Sequence, residues 1–167
     1  MKIAVQLQPA NGSQQKVEYT WDADTDILSA QLSPRATGDG MSGSVGLEGS
    51  DGSWVILDVA AGCINGVEIA VWPDVRKLAS LPVPQSVEDA HVVVPSRRSQ
   101  PEIASLETTT RLIAEADHDA RNFHFRLGKP KAGKTVRVAR DLLLDIDEKS
   151  QISGLWLLNV PPSPAQL

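Results

Sequence analysis

A chain of 167 residues with 41% apolar residues and a formal charge of −5 can form one ordinary domain, or two small ones sharing a core, without a disulfide or metal staple. The excess of 21 acidic over 16 basic side chains leaves no broad basic field for nucleic acid or anionic membrane. A lone Cys63 excludes an internal disulfide and fits a reducing compartment, and no apolar run approaches the roughly 18 residues of a membrane span.

The opening Met1-Lys2-Ile3-Ala4-Val5-Gln6-Leu7-Gln8 is too polar for a signal peptide and alternates as a strand does, so the expected location is cytoplasmic. Pro9-Ala10-Asn11-Gly12-Ser13 reads as a hairpin connection, since Asn-Gly tolerates positive φ. Strands are expected at Lys16–Trp21 and Ile27–Leu32, then a Gly/Ser-rich stretch from Gly38 to Gly52 that reads as a loop with room for a ragged strand inside it, then strands at Trp54–Asp58 and Ile64–Trp72. Pro73-Asp74 predicts a short helix through Val75–Ala79, ended by Pro82 and Pro84. Ala90–Pro95 reads as a strand. Ile103–Ala116 has helical apolar spacing but a β-branched Thr108-Thr109-Thr110, and both readings stay open, with strand favoured near Thr110–Ala116.

The second half repeats the order of the first. Asp22 and Asp117, like Leu32 and Leu127, stand 95 residues apart, and each Asp leads into a strand. Val55-Ile56-Leu57-Asp58 matches Leu142-Leu143-Leu144-Asp145 at 87, and Gly66-Val67-Glu68-Ile69 matches Gly154-Leu155-Trp156-Leu157 at 88. A shorter middle loop in the second copy accounts for the change. The expected architecture is therefore mostly β: about ten strands in two pseudo-symmetric antiparallel β-meander repeats, residues 1–81 and 82–167. These would form one barrel-like or sandwich body, with the short helix at the junction.

The run Tyr19-Thr20-Trp21-Asp22-Ala23-Asp24-Thr25-Asp26-Ile27-Leu28, followed by Val55-Ile56-Leu57-Asp58 and Asn65-Gly66-Val67-Glu68-Ile69, resembles domain-of-unknown-function family 2283, small bacterial β-rich domains. The second copy resembles it more weakly, with Arg121 where the family has its second Asp and Asn122 in place of an apolar residue. The family supplies no catalytic residues. Its members are often encoded beside small toxin-like proteins, which implies a neutralising, partner-binding role.

Several stretches imitate chemical motifs. Gly128-Lys129-Pro130-Lys131-Ala132-Gly133-Lys134-Thr135 matches the GxxxxGK[ST] phosphate loop letter for letter, and Leu142-Leu143-Leu144-Asp145 follows like a magnesium-binding strand end. That loop needs a helix after it to supply amide groups and dipole, and Thr135-Val136-Arg137-Val138 reads as a strand, so a basic hairpin loop is expected. Asp22, Asp24 and Asp26 alternate like a calcium loop, but Ile27 and Ser33 replace its glycine and glutamate, so these aspartates read as turn caps. Asp117, His118, Asp119 and His124 form the only local cluster with metal-ligand character. His91 reads as structural. Cys63 sits in the turn Ala60-Ala61-Gly62-Cys63 without a neighbouring His, and Asp58 and Asp145 read as hairpin caps. Ser96-Arg97-Arg98-Ser99 and Lys129–Lys134 are short basic loops without interleaved aromatics. Leu142-Leu143-Leu144 and Leu155-Trp156-Leu157-Leu158 are apolar on both strand faces, which requires cover on both sides.

These features point to a non-enzymatic binding or regulatory module recognising a protein partner or its own copy, with no cofactor, nucleic acid or membrane. The alternative is a small-molecule or metal-binding protein, or an enzyme, with its site between the repeats.

Overall fold

The computed structural model describes residues 3–10, 15–40, 42–95, 106–107 and 111–164, and these residues contain no α-helix. The strands are β1 (Gln6–Pro9), β2 (Lys16–Trp21), β3 (Leu28–Ser33), β4 (Gly43–Glu48), β5 (Trp54–Ala60), β6 (Cys63–Val71) and β7 (Val75–Lys77). Then come β8 (Glu88–Val93), β9 (Leu106–Glu107), β10 (Leu112–Ala116), β11 (Phe123–Leu127), β12 (Gly133–Ala139), β13 (Leu142–Asp147) and β14 (Ile152–Leu157). All fourteen belong to one hydrogen-bonded sheet, curled into an open half-barrel.

Alternation decides which face each strand buries. In β3 Leu28, Ala30 and Leu32 are buried while Ser29, Gln31 and Ser33 are not, and β10 repeats the pattern with Leu112, Ala114 and Ala116. These side chains form one hydrophobic core drawn from both halves of the chain. The doubly apolar β13 resolves the same way. Leu142, Leu144 and Ile146 enter the core, whereas Leu143 and Trp156, neighbours in register, are covered on the opposite face.

Connectivity departs from the expected meander. In the first half the strand order is β2-β3-β6-β5-β4, and in the second it is β10-β11-β14-β13-β12. Consecutive strands β3 and β4, and likewise β11 and β12, are separated by two others, so each half is wound as a Greek key. Residues 128–132 are therefore no hairpin loop: they cross over β14 and β13. The registers agree in detail. Gly66 faces Gln31 and Asp58, as Gly154 faces Arg126 and Asp145, and both ladders shift register just after the aspartate.

The junction helix is absent. Val75–Lys77 instead adds in parallel to the edge of β10, where backbone pairing outweighs the helix-start signal of Pro73. Nor does β1 pair with β2. It pairs antiparallel with β8, while Ile3 and Val5 exchange backbone hydrogen bonds with Ile152 and Ser150 of the second half. Val94 in turn donates to Gly62 of the first half. Each half thus lends its leading segment to the other. The Asn11-Gly12 turn, most of Ile103–Thr110 and the Ser96–Ser99 loop lie outside the described residues; Leu112–Ala116 is strand.

Aromatic side chains tie the halves together. Trp72, which follows β6, stacks on Trp21 and meets Phe123 and Phe125 of β11 at ring-centroid distances of 5.7, 5.4 and 5.8 Å. Tyr19 donates its hydroxyl to the Leu158 carbonyl at 2.7 Å, and Trp21 donates its indole N–H to Pro161 at 2.8 Å. Burial, reinforced by the Asp141 charge, pushes the Tyr19 phenol well above its ordinary value of 10.0. Its contribution to stability is full below that value and is lost as pH rises from there toward the folded value. Since Tyr19 is the only tyrosine, a spectrophotometric alkaline titration should show no tyrosinate at ordinary tyrosine pH, then a rise coincident with unfolding. A reversible rise near 10.0 in folded protein would contradict this packing.

Candidate functional site

The row of residues Thr135, Asp145, Gly154 and Arg126 runs across β12, β13, β14 and β11 on the face away from the core. One step along the strands, His124 stands beside Trp156. A carboxylate on a strand this apolar demands partners, and Asp145 has three. Thr135 Oγ1 donates to its Oδ1 at 2.7 Å, Trp156 Nε1 donates to the same oxygen at 3.1 Å, and His124 Nε2 lies 2.7 Å from Oδ2. The imidazole lies flat on the Trp156 indole, ring centroids 3.7 Å apart at 9°.

Gly154 makes this possible. A Cβ there would stand 2.7 Å from both Asp145 Oδ2 and the Phe125 carbonyl oxygen, so only glycine leaves room for the carboxylate to turn toward His124. The register shift after Asp145 re-aims the same residue.

Burial pushes the Asp145 carboxyl up, but the hydrogen bonds from His124 and Thr135, the His124 charge and the Trp156 indole outweigh it and hold the acid below its ordinary value. Asp145 is therefore ionised at neutral pH and accepts only, so His124 Nε2 carries a proton. In the neutral imidazole Nδ1 is then the acceptor. The geometry differs from a nucleophilic triad, because the Thr135 hydroxyl is directed at the acid and not at the base.

The crossover at residues 128–132 roofs this face. Between roof and sheet lies a pocket of about 260 Å³, lined by His124, Thr135, Asp145 and Trp156 below and by Lys129, Lys131 and Lys134 at the rim. Arg126 also reaches it but is committed, donating to Glu115 at 2.6 Å and to the Gly128 carbonyl at 3.2 Å. The corresponding face of the first half is closed differently. There Arg35, from the link after β3, donates to Asp58 at 2.8 Å, and Asn65 accepts from the Ala36 amide at 2.9 Å.

The structure separates the four metal candidates. Asp117 accepts from the Arg121 and Asn122 amides and from the Asn122 side chain, capping the turn before β11. His118 and Asp119 are exposed at that turn, and His124 is engaged by Asp145. Among the described residues no group of three or more His, Cys, Asp or Glu is placed to hold a metal ion. Asp22 caps its own turn through the Asp24 amide. Cys63 lies in β6, with burial pushing its thiol up, the opposite of an activated nucleophile. His91 is in β8, opposite Gln8. Asp58 and Asp145 are strand-interior residues and not hairpin caps, because the chain continues in sheet beyond each. The sequence did carry a signal for the site: a carboxylate between Leu144 and Ile146, with a strand-interior glycine at Gly154.

No protein-family model matches the chain, and no curated protein matches it significantly. No helix among the described residues is long and apolar enough to cross a membrane.

Proposed function

We propose that the chain is a cytoplasmic, non-enzymatic binding module built by tandem duplication, residues 1–81 and 82–167 being the copies, and that its ligand sits in the pocket of the second copy. The duplication is supported by the shared strand order and by the equivalence of the Gln31-Gly66-Asp58 and Arg126-Gly154-Asp145 rows. Kinship of each copy with domain-of-unknown-function family 2283 belongs to the same proposal, supported by the Asp22 turn and by Asp58 facing Gly66. The observation that carries the ligand reading is the roofed pocket itself. Its floor is a fixed His–Asp–Trp–Thr network and its rim is cationic, on a chain of net charge −5. Convergent polar groups in a concavity are the mark of a ligand site. A binding role rather than catalysis is supported by the Thr135 hydroxyl facing Asp145 and not His124, because a carboxylate held below its ordinary value is too weak a base to activate a hydroxyl.

A second reading, recognition of a partner protein in a toxin–antitoxin-like setting, is favoured by Trp54 and Val71. These face each other across β5 and β6 and are 40% and 47% exposed. Native mass spectrometry of the untagged protein, purified gently from its own cells, separates the two. A small adduct on a lone chain, lost from a Lys134→Glu variant, is the expected result. A small protein at fixed stoichiometry, lost from a Trp54→Asp variant, would replace the first reading with the second.

A further inference from the structure

We propose that the pocket beneath the 128–132 crossover binds the phosphate group of a small phosphomonoester, held by lysine side chains and without a divalent cation. The inference rests on the ligand reading above and names its chemistry.

Charge is the first argument. The acid that lines the pocket, Asp145, is already satisfied by three donors, and Arg126 is engaged by Glu115. Neither Lys129 nor Lys134 makes an ion pair among the described residues, and both are exposed beside the pocket with Lys131. A carboxylate ligand would answer only one of these ammonium groups. A phosphomonoester carries about −1.5 to −2 at neutral pH and offers three acceptor oxygens, so it answers both Lys129 and Lys134.

Size and field exclude larger anions. The cavity of about 260 Å³ falls just below the usual range for drug-sized ligands, roughly 300–1,000 Å³. A chain of net charge −5 repels an extended polyanion. The Trp156 indole that would stack a base is already covered by His124.

The letter-perfect phosphate-loop motif takes on a different meaning here. Gly133, Lys134 and Thr135 begin β12, a strand, so no helix N-terminus presents amides to a phosphate. Gly133 is needed for close strand approach instead: a Cβ there would lie 2.0 Å from the Ile146 carbonyl oxygen. The Thr135 hydroxyl, which would hold magnesium in the nucleotide-binding loop, is spent on Asp145. What survives of the motif is its lysines, which bind phosphate as point charges.

The test is calorimetric titration at low salt with glycerol phosphate and phenyl phosphate, beside inorganic phosphate, sulfate, glycolate and neutral glycerol. Amide shifts of Gly133 and Thr135 and the Trp156 indole locate the binding. We expect the phosphomonoesters to bind, to shift those signals, and to need no magnesium. The double variant Lys129→Ala/Lys134→Ala, checked for an unchanged melting temperature, should lose at least about tenfold in affinity, as expected for a lost charge-assisted hydrogen bond. Inorganic phosphate binding as tightly as the esters would support the phosphate class and assign the site to free phosphate. Glycolate or glycerol moving the same signals while phosphates do not would overturn the phosphate inference and leave the ligand reading standing. Silence from every probe would overturn both. An absolute need for magnesium, or affinity unchanged in the double variant, would overturn the lysine-held site.

Discussion

Replacing Phe125 with alanine should cost about 4 kcal/mol of stability, and the loss should appear in one transition that includes both halves of the chain. The side chain is 1% exposed, and its ring meets Phe123 from its own strand and Trp72 from the end of the first half. Truncation leaves a cavity that sheet backbones on several sides cannot close, and in such sites the cavity adds to the lost transfer energy. Urea denaturation followed by tryptophan fluorescence makes the measurement, because Trp21, Trp54 and Trp72 report on the first half and Trp156 on the second. A midpoint shift with unchanged slope is expected. Two resolved transitions, only one of them shifted, would show that the halves do not share a core.

Asp145→Ala should cost about 3 kcal/mol, because three donors lose a common acceptor in a mostly covered place. The effect depends on pH, and its sign follows from the acid being held below its ordinary value. The ionised carboxylate contributes its full stability above the ordinary value of 3.8, and the contribution is lost as pH falls through the lower, folded value. Wild type and Asp145→Ala should therefore differ most near neutrality and converge in acid. Asp145→Asn, which keeps the shape but not the charge, should show a shallower acid limb than wild type. Denaturant midpoints at a series of pH values decide the matter, and a difference that grows on acidification would refute the role given to the carboxylate.

What could be read from the residues, and what could not, divides along range. Lys16–Trp21 is a strand at its expected bounds, and the other central strands fall within a few residues of expectation, because alternation is a local signal. The offsets of 95 and 88 likewise reappear as matching registers. Pairing is a different matter. Nothing local says that β3 lies beside β6, or that β1 leaves its sequence neighbour for β8. The helix expected after Pro73 failed for the same reason, since the edge of β10 that captures Val75–Lys77 lies far along the chain.

The candidate site shows the same division. Asp145 reads as a cap and His124 as a possible metal ligand, yet they are partners across β14, 21 residues apart in sequence. Asp117, His118 and Asp119 sit closer to His124 in sequence but belong to the turn. The lysines read locally as a basic hairpin loop, and only the Greek-key crossing brings them over the sheet.

The exchange of leading segments sets a constraint on biosynthesis. Ile3 closes its hydrogen bond with Ile152, a residue translated long after it. Val94 can reach Gly62 as soon as the second half begins to emerge, but Ile3 and Val5 keep waiting for Ile152 and Ser150. Contacts of such long range make for slow folding, and a nascent apolar edge that waits this long is open to wrong partners. A ribosome stalled before Ser150 emerges would therefore hold Ile3 and Val5 without their backbone partners, and that intermediate, more than the finished protein, is where a chaperone would be needed.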